Sequence, residues 1–286
     1  ATTEIYTLSL HDALPISAAL RDDIDRIVRE RLRQQSPRAG IETEGRTIRG
    51  GWDEQYERLT AGGQWRPHAP VALSFERLRL SAPQVRLPDG RVAPIEADLR
   101  RFDASATMRV APGTTVGGAV FGTSSGVGTG LTLSHDDLRG RSEVTAEFGR
   151  PFWEFLESAA DDGRRDRVGV QRQWRFRPDT AVWVQAGANR YRLASGASTE
   201  SAALSLGVVR TIRQAAPSIT LQYGLDKEHR LRASVSTTPE GQEFVPVPLV
   251  SREVHLFGAV SRFAVARDWA VEATGGYTFD RLGGRG

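Results

Sequence analysis

The sequence predicts an all-β fold, an up-and-down antiparallel β-barrel preceded by one α-helix. Three observations predict it. Beyond Pro37 the apolar residues recur with a period of two, turn signals separate these runs, and the connections alternate between short and long. A period of two marks a half-buried strand, because successive side chains point to opposite faces. The 286 residues, 39 % hydrophobic and 26 % charged, suffice for one closed barrel or two small domains. The absence of cysteine excludes a disulfide scaffold, a zinc finger and thiol catalysis. No apolar run approaches the ~18 residues of a transmembrane helix, which leaves membrane-crossing strands open.

Ala1 to Ile16 (ATTEIYTLSLHDALPI) reads as the translation of a short-read sequencing adapter, so residues 1–16 are set aside as an adapter-derived scar. Without them, 38 basic residues stand against 33 acidic ones, a net charge of +5. Residues 17–36 read as an amphipathic helix, with Leu20, Ile24, Ile27, Val28 and Leu32 on one stripe and Pro37 ending it. Such a lone helix must lie on the following domain or on a region upstream.

The alternation then runs to the end of the chain. Val144, Ala146 and Phe148 oppose Glu143, Thr145 and Glu147. Val168, Val170, Trp174 and Phe176 oppose Arg167, Gly169, Gln171, Gln173 and Arg175, with Arg172 a polar intruder on the apolar side. Val182, Val184, Ala186 and Ala188 oppose Gln185 and Asn189, with Trp183 on the polar side. Further runs follow at Ala202–Val208, Ile219–Leu225 and Trp269–Phe279. Eight well-marked strands are expected from about Gly128 onward and about six weaker ones between Arg38 and Phe121, about 14 in all. Leu73 and Phe75 are out of phase with Leu78 and Leu80, which predicts a bulge or a misplaced strand boundary. Short turns fall at 49–51, 88–90, 136–137, 177–179 and 267–268, and the longest connector is Glu228 to Leu249.

The two faces differ as those of a membrane barrel do. The polar face carries Gly, Ser, Thr, Gln, Asn and Arg, while Phe152, Trp153, Trp174, Phe176, Tyr191, Trp269, Tyr277 and Phe279 sit near strand ends. Lipid-facing belts with aromatic girdles around a wet lumen have this pattern, which points to the bacterial outer membrane. The expected lumen-lining residues are Arg165, Arg167, Gln171, Gln173, Arg175, Gln185, Asn189, Gln222 and Glu272. Trp153 and Tyr191 are expected as girdle anchors or as platforms for sugar stacking. The charged run Asp161–Arg167 reads either as a solvated loop or as a constriction in which Arg165, Arg167 and Arg175 line the pore beside Asp166.

Nothing in the sequence points to bond chemistry, a cofactor or a metal. Gly122-Thr123-Ser124-Ser125-Gly126 satisfies G-x-S-x-G, but a strand rather than a helix follows, so a turn is expected instead of a nucleophile elbow. His68, His135, His229 and His255 lack a second ligand at zinc spacing. Only Lys227 of the 38 basic residues is lysine, and charges of both signs are interspersed, which argues against a nucleic-acid partner.

Three stretches carry a resemblance: the helix IDRIVRERLRQQ leading into SPRAGIETEGRTIRGG, the block GTGLTLSHDDLRGRSEVTAEFGRPFWEF, and DDGRRDRVGVQRQWRFRPDTAVWVQAGANRYRL. The pattern resembles the C-terminal domain of the cellulose-synthase operon protein C family, and is similar also to the porin parts of Pel and poly-N-acetylglucosamine secretion proteins. The resemblance implies a periplasmic tetratricopeptide array followed by a sixteen-strand outer-membrane barrel. Its partners would be outer-membrane lipid, a polysaccharide chain and an inner-membrane glycan synthase. Residues 17–36 would be the last helix of that array, and 37–286 a barrel with about 14 of 16 strands. The ending GYTFDRLGGRG lacks the terminal aromatic of such barrels, so a C-terminally truncated barrel is expected. The other functions open to this sequence are a small-solute outer-membrane porin or adhesin barrel, a soluble all-β binding module and an outer-membrane hydrolase.

Overall fold

A computed structural model describes residues 36–48, 52–66, 69–215, 217–249, 251–266 and 269–281. Residues 1–16, nearly all of the expected 17–36 helix, His68 and the expected turns at 49–51 and 267–268 lie outside the described residues. Among the described residues the chain forms one antiparallel sheet of 13 strands, whose order in the sheet is their order along the chain, beside a small two-stranded one. These are β1 (Arg38–Ile48), β2 (Trp52–Arg66), β3 (Ala69–Arg86), β4 (Val92–Ala111), β5 (Thr114–Thr123), β6 (Gly126–Asp137) and β7 (Gly140–Pro151). After the short helix α1 (Leu156–Ala160) come β8 (Arg164–Arg177), β9 (Thr180–Arg192), β10 (Ser198–Arg213) and β11 (Ser218–Ala233). A two-residue hairpin, β12 (Ser236–Thr237) and β13 (Glu243–Phe244), interrupts the series before β14 (Arg252–Ala266) and β15 (Trp269–Asp280). The fold is the all-β, up-and-down arrangement that the two-residue period dictates.

Eight strands of the large sheet begin at or beyond Gly126, as the alternation predicts. The N-terminal part holds five rather than about six, because β3 and β4 run to 18 and 20 residues. The bulge expected between Phe75 and Leu78 is absent. β3 keeps unbroken register there with both neighbours, Phe75 opposite Phe102 and Leu78 opposite Leu99 on one side, Leu59 and Tyr56 on the other. The strand does not shift; its apolar residues change faces. Leu73 and Phe75 lie exposed on one side, whereas Leu78, Leu80 and Ala82 are buried on the other.

The ends of the sheet differ. At one end the connections within the described residues are short, at 112–113, 138–139, 178–179 and 214–217. At the other lie the β3–β4 hairpin tip and the long segments 152–163 and 234–251. The sheet curls, because its side chains meet across strands that are not neighbours. Arg150 of β7 reaches Asp103 of β4 at 3.9 Å, and the Arg101 guanidinium donates to the Pro151 carbonyl at 3.2 Å. That side is the inner face.

Long segments fold over the inner face at their end of the sheet. Phe152, Tyr191, Leu193, Val247 and Leu249 form a buried cluster, with Phe155 and Ala197 packed on it. Helix α1 touches β3 and β4, and the Thr199 hydroxyl approaches the Val247 carbonyl at 3.5 Å. The β3–β4 tip joins the same assembly. Gly90, at φ +85°, lets the turn press against the 234–251 segment, where a Cβ would sit 2.6 Å from the Thr238 Cα.

Candidate functional site

Register places all nine expected lining residues on the inner face. In β8, Arg165, Arg167, Gln171, Gln173 and Arg175 share one phase, and β9 sets Asn189 opposite Arg167 and Gln185 opposite Gln171. Gln222 pairs with Val209, which is in phase with Ser205 opposite Gln185, and Glu272 pairs with Arg262 in phase with Gly258 opposite Gln222.

The arginines do not form a constriction with Asp166. Alternation puts Asp166 on the outer side, where it accepts from the Gly149 N–H at 2.7 Å and from Arg192 at 2.9 Å. Arg165 and Arg175 are ten residues apart, about 33 Å along an extended strand. A ring of charge requires its members at one height, and these two line opposite ends.

The inner face carries instead a chain of alternating charges. Glu76, 4 % exposed, pairs with Arg101 and with Arg58 at 3.3 Å. Arg101 also approaches Asp103 at 3.3 Å. Arg150 joins Asp103 to Glu147, bonded at 2.5 Å, and Glu147 meets Arg165 at 3.4 Å. The wall of β5 and β6 between them is lined by Ala119, Gly117, Gly128 and Gly130, small enough for β4 and β7 side chains to bridge over it. Arg150 lies 4.8 Å over the Phe121 ring. Each arginine has a carboxylate beside it, so this wall presents hydrogen-bonding groups with little net charge. The expected list lacked Glu76, Arg101, Asp103, Arg150 and Glu147. A usable signal was present in β4, where Arg101, Asp103, Ser105 and Thr107 alternate with Phe102, Ala104, Ala106 and Met108.

Trp153 and Tyr191 are not girdle anchors, and Tyr191 cannot stack on a sugar. Tyr191 pairs with Arg165 and so points inward, 5 % exposed, its ring centroid 4.7 Å from that of Phe152. Its hydroxyl donates to Glu228 Oε1 at 2.7 Å, which also accepts from Asn189 Nδ2 at 3.0 Å and Ser201 Oγ at 2.5 Å. Trp153 is half-buried under the Arg101 guanidinium, 5.6 Å from its ring. It lines a cavity of about 430 Å³ with Tyr56, Glu76 and Arg165. Both were misplaced because aromatics at strand ends have two fates, and here the 152–163 segment turns inward. In the same segment, burial pushes the Glu157 carboxyl above its usual range.

The outer side is apolar through its middle and aromatic at both margins. Phe75, Phe102, Phe148, Phe257, Tyr277 and Phe279 are exposed toward the long-segment end, and Trp65, Phe176 and Phe263 toward the short-turn end. Arg172, the intruder on this side, donates to Ser142 Oγ at 2.6 Å and to Asp137 at 2.7 Å, both next to a short turn, with Trp174 beneath it. Its position at the margin reconciles a charge with an apolar wall.

The G-x-S-x-G run and the described histidines take local hydroxyl partners. Ser124 and Ser125 form the β5–β6 turn, where Thr123 and Ser125 hydroxyls meet at 2.8 Å and a strand follows. His135 bonds Thr114, His229 bonds Ser251 and His255 bonds Tyr223. No group of three or more possible metal ligands occurs among the described residues. No protein-family model matches the chain, and no curated protein sequence matches it significantly.

Proposed function

We propose that this chain is the outer-membrane part of a polysaccharide-export porin, a passive polar conduit for a glycan made by an inner-membrane synthase. One observation carries the membrane half of this reading. Thirty large hydrophobic side chains are exposed among the described residues, against eleven hydrophobic residues buried in a core. Each is worth roughly 1.5–3 kcal/mol when removed from water, so an aqueous outer wall of this kind forfeits tens of kcal/mol. Lipid removes that cost. In β4 the outer apolar run Phe102–Val110 covers about 27 Å along the strand, or about 20 Å after a ~40° tilt, close to the ~25 Å band of such barrels.

The conduit half rests on the inner face. Amides and hydroxyls from Thr145, Gln171, Gln173, Gln185, Ser205 and Gln222 line its short-turn half, and paired charges line the other. Such a wall exchanges hydrogen bonds with a hydrated chain without holding it at one place. Pairing of Arg58, Arg101, Arg150 and Arg165 weakens, at the long-segment end, the case for an anionic polymer that unpaired arginines would make. The glycan itself is suggested by the resemblance of the 24–51, 128–155 and 161–193 stretches to exopolysaccharide export proteins.

The test is long-read sequencing of the gene and its neighbours across Ser17 and beyond Gly286. Helical repeats upstream and a glycosyltransferase next door are the expected result. A signal peptide joined directly to residue 17 with no synthase nearby would leave a small-solute porin. Extraction without detergent, with no heat-modifiable migration, would make the chain a soluble module.

A further inference from the structure

Trp183 breaks the pattern of the outer belt by standing on the polar side of β9, opposite Gln173 on one neighbour and Gly207 on the other. The indole lies against the wall there. A Cβ at Gly207 would meet Trp183 Cε2, Nε1 and Cζ2 at 2.6–2.7 Å, so only glycine seats the ring. Gly207 is buried beneath it while Trp183 stays half-exposed, so one side of the ring covers the sheet and the rest faces the interior. Gln185 follows two residues along on the same face, and Gln173 stands directly across. Thr180, where β9 begins, is three residues away, about 10 Å along the strand.

We infer that Trp183 is a sugar-stacking site just inside the short-turn mouth, with Gln173 and Gln185 as its hydrogen-bonding flanks. This rests on the conduit reading above. An aromatic face is negative, and the axial C–H groups of a pyranose ring present a positively polarised apolar surface that fits it. Neutral amides donate to and accept from the equatorial hydroxyls of the same sugar without selecting a charge. With Arg175 two residues from Gln173 on the same face, the site takes a pyranose chain with an apolar face and gives no hold to a flexible polyether of equal size.

Planar-bilayer conductance of the full-length protein from the uninterrupted gene tests this, with cellohexaose as the blocker and a polyethylene glycol of matching size as the control. Cellohexaose is expected to interrupt the wild-type current. In Trp183→Ala the half-blocking concentration should rise about tenfold (~1.4 kcal/mol) with unitary conductance and glycol response little changed, and Trp183→Phe should fall between. Equal block of wild type and Trp183→Ala overturns the stacking site and leaves the conduit standing, as does a wild-type channel that cellohexaose does not block. A wild-type chain that forms no channel overturns the conduit and the site with it.

Discussion

The β3–β4 hairpin contains two regions built on the same alternation with opposite sign. In its lower part, toward the short turns, Leu73, Phe75, Phe102 and Met108 point outward and Ser74, Glu76, Asp103 and Ser105 inward. In its upper part Arg77, Arg79, Asp98 and Arg100 point outward, while Leu78, Leu80, Ala82 and Leu99 turn inward under the long segments. Arg77 and Asp98 bond at 2.5 Å on that upper outer surface. The inversion falls at Glu76 and Arg101, where the chain of paired charges begins. A strand thus reports its surroundings: apolar outside means lipid in the proposed reading, and apolar inside means a covered mouth above it.

The comparison can be broken most severely at its boundary. Glu76→Ala removes the buried carboxylate that Arg101 and Arg58 share and leaves Arg101 with Asp103 alone, and loss of one partner of a buried pair costs up to about 3–5 kcal/mol. Urea titration of the chain folded into lipid vesicles should register that loss, whereas Arg77→Ala on the exposed upper surface should cost less than ~1 kcal/mol. Placing a charge on the outer face separates the two regions next. Leu131→Arg in the belt should cost about 2–4 kcal/mol in the same titration, and Val92→Arg on the upper hairpin close to none. Equal costs at 131 and 92 would place both in the same solvent.

Smaller changes probe the covered mouth. Tyr191→Phe removes one donor from the buried Glu228 carboxylate and should cost about 1–3 kcal/mol, seen as faster hydrogen exchange at Leu193 and Leu249. The smallest effect is expected from Glu157. Burial raises its carboxyl above the unfolded value, so its contribution is fully present below the unfolded pKa and is lost as pH rises through the folded one. Glu157→Gln should therefore protect the 152–163 segment at neutral pH and make no difference in acid, read by amide exchange at both pH values.

The same two regions mark how far the sequence could be read. Strands such as β7, β9 and β10 were legible because one hydrophobic phase dominates each of them. β3 was not, since two opposite phases within one strand look like an inserted residue. That misreading hid Glu76, whose inward position follows only once the strand is seen to be continuous. Trp153 and Tyr191 were misplaced for a different reason. Period tells which face a residue shares but not whether a neighbouring loop folds over it, and the cover formed by 152–163 and 234–251 depends on contacts between distant parts of the chain.

The 234–251 segment also matters for the order in which the sheet assembles. Along the rest of the described sheet, successive strands meet across connections of a few residues, apart from the 152–163 segment, so pairing proceeds between close neighbours. Between β11 and β14 the chain must close a loop of 18 residues. Relative to a two-residue turn, that adds about 2 kcal/mol of chain entropy by the (3/2)RT ln n rule. Docking of Val247 and Leu249 into the cluster around Tyr191 offsets this penalty, but only after β9 and β10 have formed the surface that receives them. Pairing of β14 with β11 is therefore favoured once the middle of the sheet has formed, which gives the meander a direction in time as well as in space.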